Sequence, residues 1–285
     1  MLKIILVLLA LTNIEAKMFV EFSKSSVLLS AVLNIISDEA SSNLSTLNLL
    51  ISKMDYKTKL ETQEIIKNIY LNKTSKAMAI QLQDIDKLRS LNIRKTFNTF
   101  FIDSYESFLS IYEILNPATF NYQGKYLIII IKSLTNRRLD IQRIFQDLWN
   151  IHIVNVNVLI KSETKNQAEL YTYFPYTNSY CSELHPLLWK TFKNGRFEGH
   201  ESFYPKKMAN LHQCPLNVAI FDCNFLMVKK TAIGEFETKG LDGSLLKVLS
   251  RRMNFKVNHT FLGSETLRWG FLYPNGSSSG AMKYV

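Results

Sequence analysis

The run KYLIIIIK, residues 125–132, is the feature that most constrains the fold of this chain. Its apolar residues follow one another without polar interruption, so a strand built from it is apolar on both faces. Strands of this kind occupy the centre of parallel sheets that are covered by helices on each side. The run therefore predicts a parallel sheet within an α/β domain.

Strands and helices alternate along the chain around this run. Helical spacing is found at residues 25–36, 59–71, 104–115 and 138–149, and strand-like runs at 46–52, 76–82, 97–103 and 152–160. Asp103 or Ser104 can cap the helix that follows them. This order of elements is typical of a doubly wound α/β domain.

The regular alternation ends near residue 176. Residues 177–214 are turn-rich and aromatic, and they form either a connecting segment or a packed extension of the first domain. We predict an extracellular α/β domain at 17–176, this connecting segment at 177–214 and a second folded part at 215–285.

The first sixteen residues, MLKIILVLLALTNIEA, have the order of a secretory signal peptide. Lys3 precedes an apolar run from Ile4 to Leu11, and a small residue, Ala16, ends the segment. The run is too short to span a bilayer. A buried N-terminal strand or helix is the alternative. We predict a signal peptide at 1–16 and a chain that enters the secretory pathway.

Four sequons become candidate glycosylation sites in that compartment. Three of them lie outside the predicted strands, and the fourth, at Asn258, lies within one. The four acceptor residues are Asn43, Asn72, Asn258 and Asn275.

The three cysteines allow one disulfide in an oxidising compartment. If the residues between Cys214 and Cys223 are extended at about 3.3 Å per residue, these two cysteines stand roughly 30 Å apart, beyond the limit of about 7 Å between bridged Cα atoms. We therefore predict a disulfide between Cys181 and Cys214. Cys223 is left as a free thiol or pairs with another chain.

The sequence lacks the patterns of several function classes. Its net charge is +10, but the basic residues are scattered, which does not indicate a nucleic-acid surface. No phosphate-binding glycine loop or metal-ligand spacing of histidines and cysteines occurs. The GSSSG segment at 276–280 has too little chain after it for a hydrolase triad. We expect no catalytic residues, no metal, no cofactor and no nucleic-acid partner, and hence no enzyme.

The last quarter of the chain contains an ordered series of short features. A strand, Asn217–Asp222, ends in an acid and runs into FLMVKK at 225–230. A helix that begins at Gly240 follows, then another strand after Phe255, then Trp269-Gly270 and NGSSSGAM. The series predicts the strand–helix–strand start of an α/β lobe.

This series resembles the first lobe of the ligand-binding domain of ionotropic glutamate receptors, and more closely that of insect chemosensory ionotropic receptors. The resemblance implies that Asp222 helps to line a ligand pocket. It also implies that Leu241 stands where glutamate receptors have an aromatic residue over the agonist. The family's carboxylate-gripping arginine would fall beyond Val285, so glutamate itself is not the expected ligand.

The resemblance implies an overall organisation and a function. The fold class is α/β: an N-terminal doubly wound, periplasmic-binding-like domain, followed by the start of a glutamate-receptor-like ligand-binding lobe. The expected function is the extracellular portion of a chemosensory ligand-gated ion channel at the plasma membrane, truncated before the pore. Its partners would be a small-molecule chemosensory ligand and, at full length, other receptor subunits. A secreted soluble ligand-binding α/β module is the alternative.

The lobe's topology can be stated in advance. We expect the strand at Asn217–Asp222 and the strand after Phe255 to pair in parallel, with the helix Leu241–Met253 between them in sequence. Asp222 should lie at the carboxyl end of its strand. The helix has an apolar stripe formed by Leu245, Val248 and Leu249, and this stripe should pack on the sheet. Arg251 and Arg252 should lie near solvent.

Overall fold

The structure of the chain is a computed structural model. It describes residues 27–39, 46–71, 79–84, 95–117, 119–132, 134, 136–163, 165–232, 234–262, 269–273 and 277–284. The predicted signal peptide and three of the sequon residues, Asn43, Asn72 and Asn275, lie outside these residues. The chain divides into two compact units: the first runs to Tyr173 and includes Leu184–Pro205, and the second comprises Phe174–Glu183 and the residues from Lys206 onward.

An eight-stranded mixed sheet lies at the centre of the first unit. Its strands are β1 (Thr46–Ile51), β2 (Ala79–Asp84), β3 (Lys95–Ile102), β4 (Phe120–Ile130), β5 (Val156–Lys161), β6 (Ala168–Thr172), β7 (Leu187–Lys193) and β8 (Arg196–Phe197). Their spatial order is β2-β1-β3-β4-β5-β6-β7-β8. The first five are parallel and the last three antiparallel. The parallel part, with β4 inside it, confirms the prediction from residues 125–132.

Helices cover both faces of this sheet. They are α1 (residues 27–39), α2 (Tyr56–Leu71), α3 (Tyr105–Tyr112) and α4 (Arg137–Asn150). α1 and α2 pack on one face, where Ile35 and Ile65 meet Leu49 of β1. α3 and α4 pack on the other, where Phe108 and Ile144 join the same core as the β4 residue Ile128. The doubly wound arrangement is therefore confirmed.

The N-terminus of α3 is fixed by a local capping motif, so the start of this helix could be predicted from the sequence. Ser104 has extended backbone dihedrals, and its Oγ accepts the N–H of Ser107 over 3.1 Å. The Ser107 hydroxyl oxygen in turn accepts the N–H of Ser104, which completes a capping box. The predicted cap at Asp103 or Ser104 is thus Ser104.

Part of residues 177–214 extends the sheet of the first unit. β7 and β8 are joined by Asn194 and Gly195, whose φ angles of 52° and 78° suit a two-residue hairpin turn. Of the two interpretations that the sequence left open, a packed extension describes residues 184–205. Residues 206–214 lie in the second unit.

The second unit contains a two-stranded parallel sheet and a two-stranded hairpin. Its elements are β9 (Pro215–Ile220), β10 (Met227–Lys230), β11 (Phe236–Lys239), α5 (Gly240–Met253), β12 (Lys256–Phe261) and a 3₁₀ helix at Gly280–Tyr284. β9 and β12 are parallel, with Asn217 opposite Asn258, and β10 pairs with β11 antiparallel. The predicted parallel pairing and the intervening helix are confirmed.

The predicted packing of α5 is wrong. The opposite face packs: Gly243 is buried, and a Cβ at that position would lie 2.8 Å from the carbonyl carbon of Thr238. This close approach turns the predicted stripe toward solvent. Arg251 and Arg252 are exposed, as expected. The exposed stripe residues are Leu245, Val248 and Leu249.

No helix among the described residues combines the length and hydropathy needed to cross a bilayer.

Candidate functional site

The crossover helices α2 and α3 cover opposite faces of the sheet in the first unit. α2 follows β1 and packs on one face through Ile65, whereas α3 follows β3 and packs on the other through Phe108. Because β1 and β3 are neighbours, their carboxyl ends flank a topological switch point. Open α/β sheets bind ligands in the crevice at such a point. This edge is the candidate ligand site of the first unit.

Asp55 and Asp103 are acidic residues at this edge, and Asp55 makes the more extensive contacts. Its Oδ1 accepts the N–H of Thr58 at 3.0 Å, and its Oδ2 accepts the Thr58 hydroxyl at 2.9 Å. The backbone hydrogen bond and then the hydroxyl hydrogen bond lower the pKa of Asp55, so the carboxylate is ionised at neutral pH. Nζ of Lys132, which follows β4, lies 3.8 Å from Oδ2 of Asp55. The pair spans the carboxyl end of β3, which lies between β1 and β4.

A second polar cluster lies where β6 begins, at the same edge of the sheet. Arg137 donates to Oε2 of Glu169 over 2.7 Å, and its guanidinium lies 5.3 Å from the ring centre of Tyr171. The Tyr171 hydroxyl donates to the same oxygen over 2.8 Å. Burial alone would raise the pKa of Glu169, but the Tyr171 hydrogen bond and the Arg137 charge outweigh it, and the pKa is lowered. Both donors converge on one oxygen of Glu169, which is typical of a structural ion pair that fixes α4 to β6, although Nε of Arg137 is buried without a hydrogen-bond partner among the described residues.

Asp222, the first of the two predicted ligand residues, lies in the second unit. It follows β9 at the carboxyl end and is exposed. Its Oδ1 accepts the N–H of Val228 over 2.7 Å, which closes the loop between β9 and β10. This is the turn-capping contact that an acid at a strand end commonly makes. A ligand contact by Asp222 stays a prediction.

Leu241, the second predicted ligand residue, lies in the first turn of α5 and is 69% exposed. The loop after β9 runs against this turn, because the N–H of Asp242 donates to the carbonyl of Phe225 over 3.1 Å. Gly240 has a φ of 91°, and a Cβ there would lie 2.5 Å from the Phe225 oxygen, so the approach requires glycine. Asp222 and Leu241 thus belong to one loop-and-helix junction, and the ligand role of Leu241 also stays a prediction.

The disulfide predicted between Cys181 and Cys214 is present, with 5.6 Å between the Cα atoms. Both cysteines belong to the second unit, so the bridge fixes residues 174–183 to the start of β9. Cys223 is free and partly buried. The reach argument from the sequence therefore selected the pair that the structure contains.

Of the four sequon residues, only Asn258 is described. It lies on β12, and its side-chain amide donates to Oδ1 of Asn217 on the neighbouring strand over 2.7 Å. This contact uses the nitrogen that a glycan would occupy. The acceptor residue is therefore also a cross-strand partner.

We predict that Asn43, Asn72 or Asn275 carries glycan and that Asn258 carries the least. The chain is expressed in a secretory host, and each Asn is changed to Gln in turn. Intact mass before and after glycosidase treatment gives the occupancy of each site. Loss of glycan only in Asn258→Gln would contradict the ranking, and an unchanged mass for the parent chain would contradict entry into the secretory pathway.

A shallow concavity of about 400 Å³ lies on the β7–β8 hairpin. Its walls come from a single hairpin, residues 193–200, and Lys193 pairs there with Glu198 over 2.5 Å. Small-molecule sites are usually enclosed by several elements and lined mainly by apolar side chains. This concavity does not have those properties.

Two buried lysines are features that sequence patterns did not reveal. Lys207 is 4% exposed, and burial lowers its pKa well below the ordinary value. Lys190 is buried as well, with its Nζ 3.4 Å from the carbonyl oxygen of Gly199. Nothing in the local sequence distinguishes these lysines from exposed ones.

Within the described ranges, no three His, Cys, Asp or Glu side chains form a group that could hold a metal ion.

The fold and the switch point define the first unit as an open α/β module of the ligand-binding kind. A protein-family model described as "Putative ionotropic receptor, ligand binding domain" matches residues 21–210. The match spans two thirds of the sequence, and the chain belongs to this ionotropic receptor family. It covers the sheet and helices of the first unit and ends before β9, so Asp222 and Leu241 lie outside it. No curated protein matches the chain.

Proposed function

We propose that the chain is the extracellular ligand-recognition part of a chemosensory ionotropic receptor. The observation that carries the proposal is the family match over residues 21–210, which coincides with a doubly wound α/β unit. Ligand binding to such a unit would be coupled to a pore at the plasma membrane, in an assembly with other receptor subunits. The chain would act by binding and not by catalysis.

Two features of the sequence support the extracellular part of this proposal. The signal-peptide pattern at residues 1–16 would direct the chain into the secretory pathway, where glycosylation is possible. The Cys181–Cys214 disulfide is of a kind that persists in oxidising compartments. The chemosensory assignment rests on the resemblance of residues 217–282 to insect receptors of that type.

The ligand-binding function is tested by thermal unfolding of the purified chain with a panel of short carboxylic acids, amines and amino acids. A ligand at about 100 times its Kd should stabilise the folded chain by about 2.7 kcal/mol. At least one compound is expected to raise the unfolding temperature, and it should also evoke current from the full-length receptor expressed with its partner subunits. A panel without effect in both assays would contradict the proposal.

We also propose that Asp222 and Leu241 line the ligand site of the second unit. The variant Asp222→Asn keeps the oxygen that accepts the N–H of Val228 but loses the charge. It should therefore fold normally and bind a cationic ligand more weakly, whereas Glu237→Gln, an exposed acid on β11, should not change binding. Unchanged ligand stabilisation in Asp222→Asn would leave Asp222 with its turn-capping role alone.

A further inference from the structure

The β7–β8 hairpin turns through Asn194 and Gly195, and both residues are exposed. Their positive φ angles, 52° and 78°, are those of the two central residues of a type I′ turn between the paired Lys193 and Arg196. The Asn194 side chain makes no hydrogen bond to any residue that the structure describes. A Cβ built on Gly195 would meet nothing within 4 Å. The asparagine amide and the peptide nitrogen that follows it are therefore both accessible to water.

An asparagine followed by glycine can react with its own backbone, because no side chain on the glycine shields the peptide nitrogen. The Gly195 nitrogen attacks Cγ of Asn194, so an N–Cγ bond forms, the Cγ–Nδ2 bond breaks and Nδ2 leaves as ammonia. The Gly195 N–H proton passes to water, and the leaving nitrogen takes one proton from water in return. The product is a succinimide ring. Water then opens the ring to aspartate, or to isoaspartate when it attacks the α-carbonyl, and the sequence of steps needs no oxidant, reductant or cofactor.

The charged groups around the turn favour this reaction. Lys193, Arg196 and His200 line the same concavity as Asn194. Glu198 pairs with Lys193 over 2.5 Å, whereas the Arg196 guanidinium has no partner among the residues that the structure describes. This guanidinium can therefore stabilise the negative charge that develops on the amide oxygen during the attack. It can also stabilise the carboxylate of the product.

The conformation of the turn limits the rate of the reaction. The first central residue of a type I′ turn has a ψ of about +30°, and ring closure requires this bond to rotate until the peptide nitrogen faces Cγ. The tip of the hairpin must therefore open. β8 has only two residues, Arg196–Phe197, and the rings of Phe192 and Phe197, 5.0 Å apart, close the hairpin behind the turn. A short, exposed hairpin end of this kind opens locally at low cost.

We propose that Asn194 is a site of spontaneous deamidation and that the isoaspartate formed there loosens the β7–β8 hairpin. Isoaspartate adds one methylene to the main chain, so a two-residue turn no longer joins Lys193 to Arg196 in register. Phe197 of the hairpin packs on Phe203 at the edge of the core, so the modification also loosens the last strand of the first unit's sheet. The inference goes beyond the proposed function and does not depend on it.

The test follows the purified whole chain during incubation at physiological temperature and neutral pH. Chymotrypsin cleaves after Phe192 and Phe197, and liquid chromatography with mass spectrometry separates the asparagine, aspartate and isoaspartate forms of the released peptide. Asn178 is the internal control: it is exposed and followed by serine, but its Oδ1 lies 2.9 Å from Nδ1 of His212 in a hydrogen bond. Asn194 should react at least about tenfold faster, the factor that corresponds to one hydrogen bond of about 1.4 kcal/mol. Equal rates at the two residues would overturn the assignment of the site.

Asn194→Gln is the matched variant, because its longer side chain would have to close a larger ring and reacts far more slowly. Hydrogen exchange of the amides at 191–198 should become about tenfold faster in the incubated parent chain and stay unchanged in the incubated variant. The free peptide Lys193–Phe197 gives the rate of an open turn and should react faster than the whole chain. An Asn194 that stays unmodified in the whole chain while the peptide reacts would overturn the proposal, as would unaltered exchange in a chain that contains isoaspartate.

Discussion

Replacing Lys125 with methionine is expected to lower the free energy of unfolding of the first unit by about 2 kcal/mol, less than the loss for a fully buried ion pair because the Lys125 side chain is 35% exposed. Lys125 of β4 forms a short ion pair with Glu39, the last residue of α1, which is only 3% exposed. The Lys125 ammonium also lies 5.4 Å from the ring centre of Tyr204. The variant leaves the Glu39 carboxylate buried beside an apolar side chain.

The double variant Glu39→Gln/Lys125→Met is the control for this expectation. It removes both charges, so most of the lost stability should return, because the penalty arises from the Glu39 charge after Lys125 is removed. Lys67→Met, on the exposed face of α2, should have almost no effect. Urea unfolding followed by the fluorescence of Trp149 and Trp189 measures each variant. A loss below about 1 kcal/mol in the single variant would show that the pair is solvated.

The pH dependence of this loss has a definite sign. Burial raises the pKa of Glu39 in the folded chain even though Lys125 opposes the effect. A raised carboxyl pKa means that the contribution of Glu39 to stability is most favourable below its unfolded pKa and declines as the pH rises through the folded value. Lys125→Met raises the folded pKa further. Its destabilisation should therefore be largest at neutral pH and shrink as the pH falls toward 4.

The Glu39–Lys125 pair also shows a limit of reasoning from the sequence. The two residues are 86 positions apart, and neither the helical pattern of α1 nor the apolar run of β4 indicates that they meet. Local patterns were sufficient for β4, whose residues are apolar on both faces, and for α3, whose cap is local. The switch point was not predictable in the same way, because it depends on the sheet order and on which face each crossover covers.

The packing of α5 shows why hydrophobicity alone misled the prediction. Leu245, Val248 and Leu249 form the more apolar stripe, but a helix packs where its backbone can approach a neighbour. Gly243 permits that approach to Thr238, and a larger residue there would clash. β7 was missed for a related reason: Lys190 lies at a buried position, where the strand pattern predicts an apolar residue. In both cases a tertiary contact outweighed the local pattern.

Removing the disulfide with Cys181→Ala/Cys214→Ala is expected to destabilise the second unit by about 3 to 4 kcal/mol, the chain-entropy value for a loop of this length. The two cysteines are 33 positions apart. Cys214 is 1% exposed at the start of β9, and its carbonyl accepts the N–H of Lys256 at the start of β12. The bridge therefore restrains the point where the two parallel strands begin.

This loss should be large relative to the unit's own stability. Its parallel sheet has only two strands, and sheets of that size are marginally stable in water without further packing. The exposed stripe of α5 contributes little burial to offset the loss. Hydrogen exchange of the amides in β9 and β12 should therefore accelerate on the order of a hundredfold or more in the double variant, since each 1.4 kcal/mol is a factor of ten. Cys223→Ala, which removes the free thiol, is the control and should leave these exchange rates nearly unchanged. Equal exchange rates in the double variant and the parent chain would show that β9 and β12 stay paired without the disulfide.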